Sequence, residues 1–232
     1  MRYQLAFALT ICQGLFLFIR HMSFLTAKPI LFVVSGPSGS GKKTFSDHVL
    51  KKFPHIRKIA TYTTRAPRHN EKAGLDYIYL SEKEFFKHVR TKEIIEYTKT
   101  YGDYYYGSPS ILIDGDDSNN LLVELDYRGL CRVRAATSLR VVSFFLMPVA
   151  LNDLAQRIQQ RAKERRLKAR LRIASEQMQF AWLYDYMLLS GEIDNFRITV
   201  ETVISAELLK REGATLLYET RHTLDSTLNA NK

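Results

Sequence analysis

Cysteine is scarce. Cys12 and Cys131 are the only two in 232 residues, and neither stands in a CxxC spacing. That argues against a disulfide scaffold and makes a reducing, cytoplasmic setting the expected one. The six histidines form no cluster with ligand spacing, which argues against a zinc centre. No internal repeat occurs. No apolar run reaches the ~20 residues of a membrane-spanning helix. The nearest, Leu5 to Ile19, is shorter and is broken by Thr10, Gln13 and Gly14. Membrane association is therefore expected only if residues 1–21 act as an anchor. There is also no basic strand interleaved with aromatics, so no nucleic-acid partner is expected. The net charge of +10 and the pI of about 9.6 by themselves suit any anionic ligand: a nucleotide, a nucleic acid or a membrane surface.

What is present suffices for one α/β domain with a good core, since 46% of the residues are hydrophobic. Residues 1–29 differ in texture from the rest. Arg2 before the apolar run resembles the start of a signal peptide, but no small-residue cleavage site follows. Met22 comes soon after. Three readings stay open: an upstream extension of a chain that starts at Met22, a membrane anchor, or an additional ordered helix.

The stretch from Leu31 to Phe45 organises the remainder. Leu31 to Val34 reads as a buried strand, and Gly36, Gly39 and Gly41 follow, then Lys42. Beyond Lys42, Phe45, Val49 and Phe53 recur at helical spacing. Strand, glycine-rich turn, Gly-Lys and helix make a P-loop, Gly36-x4-Gly41-Lys42. Glycines let backbone N–H groups face an anion without Cβ clashes, the helix start adds partial positive charge, and Lys42 adds a full one. A chance glycine-rich turn is the plainer alternative, but the flanking strand and helix favour a phosphate cradle. Lys43 occupies the place where a Ser or Thr hydroxyl meets Mg²⁺ in such loops. Thr44 comes next, ~100° further round the helix.

Along the chain, Pro54 ends the first helix and Lys58 to Thr63 reads as a second strand. From Thr63 to about Asp117 tyrosines are dense and short extended pieces alternate, which suggests an inserted α+β lobe. A helix from Ser81 to Arg90 interrupts it, with Ser81 and Glu84 at capping-box spacing. Leu121 to Asp126 and Val141 to Met147 are apolar strands of the kind found in parallel sheets. A basic helix is expected from Leu151 to about Lys168 and another from Arg170 to Leu183. A last strand, Tyr184 to Leu189, and a last helix, Ile193 to Lys210, precede a polar tail that is expected to fray from Gly213 onward.

Two features carry further chemistry. Arg65 and Arg68 flank Pro67 in a stretch too irregular for a helix, and two guanidinium forks suit one phosphate. Arg157 and Arg161, at i,i+4 spacing, share a helix face. Taken singly, each could be no more than solvated charge.

Read together with Ser35 to Lys42, Thr63 to Tyr77, Ile95-Glu96-Tyr97, Tyr105-Tyr106-Gly107-Ser108, Glu124-Leu-Asp126 with Arg128-Gly129, and Tyr184-Asp185-Tyr186, the chain resembles the guanylate kinases over about residues 30–210. The resemblance implies a P-loop NTPase fold, a parallel sheet core flanked by helices, with an inserted GMP-binding lobe and a helical lid. It places the core at 30–62 and 118–210, the lobe at 63–117, the lid at about 155–172 and a polar tail at 211–232. It implies transfer of a phosphoryl group from ATP to GMP, and to dGMP, with Mg²⁺ accompanying ATP.

The roles it implies are these. Gly36, Pro37, Ser38, Gly39, Ser40, Gly41, Lys42, Lys43 and Thr44 form the ATP cradle. Arg65, Arg68, Tyr77 and Tyr106 hold the GMP phosphate, beside Thr61. Glu96, Ser108 and Asp126 hold guanine. Lys42 and Arg65, with Arg157, Arg161 and Arg170 of the lid, act on the transferred group. The resemblance leaves the protein contact for the metal open, because Lys43 stands where the hydroxyl is expected; Thr44 and Glu124 are the alternatives. The chemistry agrees with the base assignment, because guanine offers N1–H and N2–H₂ donors that carboxylates accept. Adenine presents an acceptor at N1 and would face a carboxylate unpaired. The departures are Lys43, a compressed lid between Arg161 and Arg170, Ser190-Gly191 near the end, and Asp114-Gly115-Asp116-Asp117 where a helix is expected. The alternative is a catalytically weak guanylate-kinase-like binding module, which would normally have a degraded P-loop. Here Lys42 and its glycines are intact.

Overall fold

The structure, a computed structural model, describes residues 29–69, 71–100, 104–116, 119–148 and 164–230. Residues 1–28, and with them the readings of the N-terminus, lie outside that set, as do Arg157 and Arg161. The chain divides into two units, Pro29–Val203 and a second that includes Ile204 onward.

Strand β1 (Ile30–Ser35) is buried at every position, as a central parallel strand must be when helices cover both faces of the sheet. It is followed by α1 (Lys42–Lys52) and β2 (Ile56–Lys58), which with β7 (Asn120–Glu124), β8 (Arg140–Pro148) and β9 (Tyr186–Ser190) complete a five-stranded sheet of order β2-β7-β1-β8-β9. Every neighbouring pair in it is parallel. The register sets Val34 against both Glu124 and Phe144. The carboxyl ends of β1 and β7 therefore emerge side by side, and that edge is where open α/β sheets bind ligands. At the other end, the buried Asn120 side chain accepts the Ile30 N–H at 2.8 Å.

A second sheet, β4-β3-β6-β5, is mixed. It contains β3 (Thr61–Thr63), β4 (Tyr77–Tyr79), β5 (Ile94–Thr100) and β6 (Tyr104–Pro109), with α2 (Glu82–Arg90) packed beside them. Its core is aromatic: Phe85 and Phe86 meet Tyr97 and Tyr105 with ring centroids 4.9–6.0 Å apart. Gly107 is required by this packing, since a Cβ there would lie 2.7 Å from Ile94 Cγ2 and 2.9 Å from the Phe85 ring.

The α1 face read from the sequence is the buried one, with Phe45 and Val49 fully buried and Phe53 nearly so. The capping box of α2 is present in both directions, Ser81 to the Glu84 N–H and Glu84 to the Ser81 N–H. Three expectations are corrected. Lys58 to Thr63 is not one strand: the chain leaves the first sheet after Lys58 and enters the second at Thr61, with the Ile59 N–H held by the Leu122 carbonyl at 2.8 Å. Where two helices were expected to meet near residues 168–170, one helix, α5 (Glu164–Gln179), runs through, and Ala181–Leu183 is a short 3₁₀ turn. The segment around Asp114, a poor helix by its Asp114-Gly115-Asp116-Asp117 run, holds only one helical turn, α3 (Ile111–Asp114), before β7 and then α4 (Tyr127–Ala136). The tail does not fray at Gly213: α6 (Ile193–Ala230) continues as helical backbone through it.

Phe45 joins the P-loop helix to the sheet, 5.2 Å from Phe144 and 6.5 Å from Phe196 between ring centroids. Phe45→Ala is expected to cost ~3–5 kcal/mol of stability. Urea denaturation checks this, as a fall in midpoint at unchanged slope.

Candidate functional site

A cavity of about 1540 Å³ lies at the carboxyl edge of the parallel sheet, with the second sheet across from it. Gly36, Ser38, Gly39, Gly41, Lys42, Lys43 and Thr44 line one side. Thr61, Arg65, Arg68, Tyr77, Glu96, Tyr106, Ser108, Glu124 and Asp126 line the rest. Of the residues expected at a site, Pro37 contributes a carbonyl and Ser40 is fully buried beneath the loop. Arg170 is described only as backbone, within α5.

The loop geometry depends on glycine at two points. Gly36 has φ 145, and a Cβ there would meet Ser40 Oγ at 2.6 Å and the Leu146 carbonyl at 2.8 Å. Gly41 caps α1 at φ 94 in the left-handed region, with no side-chain cap and no acidic residue in the first turn. The free N–H groups and dipole of the helix start are thus left to an anion. Lys42 Nζ donates to the carbonyls of Gly36 at 2.6 Å and Pro37 at 3.0 Å. Burial lowers its pKa, with Glu124 opposing and Arg68 adding to the fall. A polyphosphate here would favour the charged form that burial disfavours.

Arg65 is the most constrained cation. Its Nη1 and Nη2 each donate to Glu71 at 2.9 Å, Nη1 also donates to the Ala66 carbonyl at 2.7 Å, and Nε donates to the Tyr106 hydroxyl at 3.1 Å. Burial works against the charge, but the Glu71 bonds and Tyr106 outweigh it, so its pKa is raised. Glu71 also accepts from the Tyr79 hydroxyl at 2.8 Å and from the Arg68 N–H at 2.9 Å. Burial pushes the Tyr79 phenol up, reinforced by Glu71, to about 12. Arg68 is half exposed, and its Nη1 is 3.9 Å from Glu71. Tyr77 stands edge-on to Tyr106 at 6.0 Å, with the Arg65 guanidinium 5.1 Å above its ring. Two guanidiniums and two phenols thus converge on one wall of the cavity, donors matched to a single phosphate.

A carboxylate cluster forms the far end. Glu96 accepts from the Ser108 hydroxyl and from Arg132 Nη1 at 2.9 Å. Burial raises its pKa above the usual carboxylate range, while Ser108 and Arg132 pull it back. Asp126 Oδ1 caps α4 by accepting the Gly129 N–H at 2.9 Å.

Between the loop and this wall runs a charge network that sequence reasoning missed. Lys58 Nζ lies 2.8 Å from Asp76 and 3.4 Å from Glu124, and Ser46 Oγ donates to Glu124 at 2.9 Å. Burial of Lys58 works against its charge, yet Glu124 and Asp76 leave its pKa raised. Lys43 Nζ sits 3.5 Å from Asp47 and 3.8 Å from Asp76. Arg128 bonds Glu176 of α5 at 2.6 Å, and the Tyr127 hydroxyl donates to the same oxygen at 2.8 Å. No local spacing reveals these pairs. Lys43, Glu124 and Arg128 stand out in the sequence for other reasons, and Glu71 and Asp76 by their places in the stretch from Thr63 to Tyr77, but nothing there signals Ser46, Lys58 or Glu176.

A profile of the guanylate kinase family matches residues 28–207. The guanylate kinase of Bradyrhizobium diazoefficiens is 32% identical over 187 residues, covering 79% of this chain and 85% of that one. That of Rickettsia prowazekii is 30% identical over 190 residues, covering 79% and 94%. The crystal structure of a guanylate kinase from Anaplasma phagocytophilum superposes with a TM-score of 0.64 at 28% identity, covering 78% of this chain and 87% of that one.

The Glu71 hub makes a pH prediction. Burial raises its pKa, but Arg65, the Arg68 N–H and Tyr79 outweigh that, so the folded value is depressed. Its stabilising contribution is then full above the unfolded value of ~4.3 and is lost as pH falls through the lower folded one. Wild type is expected to lose melting temperature below pH ~4 more steeply than Glu71→Gln, whose curve starts lower and is flatter there. Thermal melts between pH 3 and 7 check this.

Proposed function

On the premise that this chain belongs to the guanylate kinase family, and so transfers a phosphoryl group from ATP to GMP, we propose how its own residues carry the reaction. The observation that carries the assignment is that one cavity holds the P-loop lysine, the Arg65–Arg68–tyrosine wall and the Glu96–Asp126 end. Donor phosphates, acceptor phosphate and acceptor base thus have separate places in line.

Lys42 and the loop N–H groups between Gly36 and Thr44 bind the ATP phosphates, apart from Pro37, which has none, and Ser40, whose N–H donates to the Pro37 carbonyl. Arg68, with the remaining donor capacity of Arg65 and the hydroxyls of Tyr77, Tyr106 and Thr61, binds the phosphate of GMP. The acceptor is already anionic, so no general base is needed. The phosphate oxygen displaces ADP in line without a covalent enzyme intermediate. Charge spread over the transferring group is met by Lys42 and Arg65, joined by Arg157, Arg161 and Arg170 from the lid segment. Glu96 and Asp126 accept from guanine N1–H and N2–H₂, and the Ser108 hydroxyl, which donates its one proton to Glu96 Oε1 in the structure, turns to donate to O6 when the base binds. Approach of lobe and lid excludes water and so suppresses hydrolysis of ATP.

Thr44 and Glu124 present hard oxygen donors in the cavity, which suits Mg²⁺. They are the residues that would hold the ion brought with ATP, and the ion would neutralise charge on the ATP phosphate oxygens. Lys43, matched to Asp47 and Asp76, takes no part in that contact. Among the described residues no helix is long and apolar enough to cross a membrane. A cytoplasmic site of action fits the isolated cysteines, and no nucleic-acid partner is invoked.

A coupled assay of ADP formation with GMP, dGMP and AMP offered separately tests the acceptor. GMP and dGMP are expected to turn over and AMP to fail. Glu96→Gln is expected to lower kcat/KM for GMP by ~10- to 1000-fold. AMP use equal to GMP use by the unaltered protein would show that the base assignment is wrong.

The donor side has its own test. Lys42→Ala is expected to lose several orders of magnitude in kcat, about what removing charge from a phosphoryl-transfer site costs. Lys43→Ser restores the missing hydroxyl and is expected to lower the Mg²⁺ concentration at half-maximal rate, with KM for GMP unchanged. Titration of rate against Mg²⁺ reads this. Wild-type rates from Lys42→Ala would refute the assignment.

A further inference from the structure

Glu96 does not hold its position by itself. It lies on β5 of the lobe with its side chain only 8% exposed, and its two oxygens have separate partners. Oε1 takes the Ser108 hydroxyl from the adjacent strand β6. Oε2 takes Nη1 of Arg132 at 2.9 Å, and the same Nη1 donates to the Tyr97 carbonyl at 3.0 Å. Arg132 belongs to α4 of the parallel-sheet core, the helix whose N-cap is Asp126. One turn earlier on that helix, Gly129 comes so close that a Cβ on it would lie 3.3 Å from Glu96 Oε1. Helix α4 therefore meets the base-reading end of the cavity at three points: Asp126, Gly129 and Arg132.

The chemistry of guanine selection makes this contact matter. An ionised carboxylate is an acceptor only and matches the N1–H and N2–H₂ of guanine. A protonated one carries a donor and can pair with the N1 acceptor of adenine. Burial and the nearby Asp126 both disfavour the charge on Glu96. The charged groups around it are Arg132 and Asp126, with Arg128 3.9 Å from Asp126 Oδ2, and Lys92 in the shallow cleft that Glu96 and Arg132 also line. Among these, Arg132 is the cation bonded to Glu96 itself.

We propose that Arg132 is a positioning residue for acceptor selection: by holding Oε2 of Glu96 and the Tyr97 carbonyl together, it fixes Glu96 as an oriented acceptor for guanine. The proposal deepens the reading of Glu96 as a guanine ligand and rests on it. Arg132 touches neither the phosphates nor the P-loop, so its effect falls on the base and not on the transfer step. Its own side chain is 54% exposed, so its removal leaves the fold little changed.

The test uses the full-length chain with Arg132→Ala, Arg132→Gln and Arg132→Lys, beside Glu96→Gln. Arg132→Ala and Arg132→Gln are expected to raise KM for GMP by ~10- to 100-fold, with kcat within ~3-fold and KM for ATP unchanged. The acid limb of kcat/KM for GMP is expected to move to higher pH, and discrimination against AMP to narrow. Arg132→Lys should recover part of both. In the Glu96→Gln background, Arg132→Ala should add little, because the two act through one contact. The proposal is overturned if Arg132→Ala and Arg132→Gln leave KM for GMP and the acid limb at wild-type values while Glu96→Gln raises KM. If Glu96→Gln itself leaves GMP use intact, the base reading fails first and takes the Arg132 role with it. Melting temperatures and KM for ATP separate either result from loss of fold, and Arg132→Gln keeps the test open should the alanine variant be unstable.

Discussion

The residue-by-residue pairing of β1 with β7 is the constraint on which the site depends. Once Val34 stands opposite Glu124, the P-loop that follows β1 and the Glu124–Asp126 segment that ends β7 must leave the sheet together. Everything else in the cavity is placed relative to that edge. Lys58 ends β2, the other neighbour of β7, and so reaches Glu124. Asp126 starts α4, which carries Arg128 and Arg132 toward Glu176 and Glu96. A shift of one residue would exchange the faces on which the side chains of β1 and β7 pack and would carry Glu124 away from its place opposite Val34.

Within that frame the cavity is built from charge matched locally. Arg65 is gripped by Glu71, Lys58 by Asp76 and Glu124, Arg132 by Glu96, and Lys42 by carbonyls of its own loop. Buried charges are tolerated only when paired in this way. Each pairing also fixes the direction in which a side chain presents its remaining donors, and such preorganisation is what electrostatic stabilisation of a transferring phosphoryl group requires.

The parts of this arrangement that were legible in the sequence are local ones. The P-loop, the buried face of α1, the capping box at Ser81 and the run from Thr63 to Tyr77 are each set by neighbours within a few residues. What was missed is set across distance in the chain. Arg132 and Glu96 are 36 residues apart, and Ser46 and Glu124 are 78 apart. Lys58 reads as an ordinary surface lysine until β2 is paired with β7. The misread strand from Lys58 to Thr63 has the same origin. Its β-branched and apolar residues suit a strand throughout, and only the partner strands show that the first half belongs to one sheet and the second half to another. The helix break expected near residue 169 failed for the opposite reason: no proline or glycine stands there, and α5 simply continues.

The aromatic centre of the second sheet has a consequence for how the molecule comes apart. Phe85, Phe86, Tyr97 and Tyr105 pack on one another, whereas the core cluster around Leu31, Val33, Leu121 and Val123 is drawn from the parallel sheet and the elements against it. Two of the four strands of the smaller sheet, β3 and β4, are also short, at three residues each. Segments with a satellite core and few ladder bonds open at lower free energy than a fully enclosed strand such as β1. Amide hydrogen exchange should therefore fall into two tiers, with the lobe exchanging by its own sub-global opening while β1 and β7 wait for the whole domain. Acceptor-site geometry would then be lost, under stress, before the cradle for the donor.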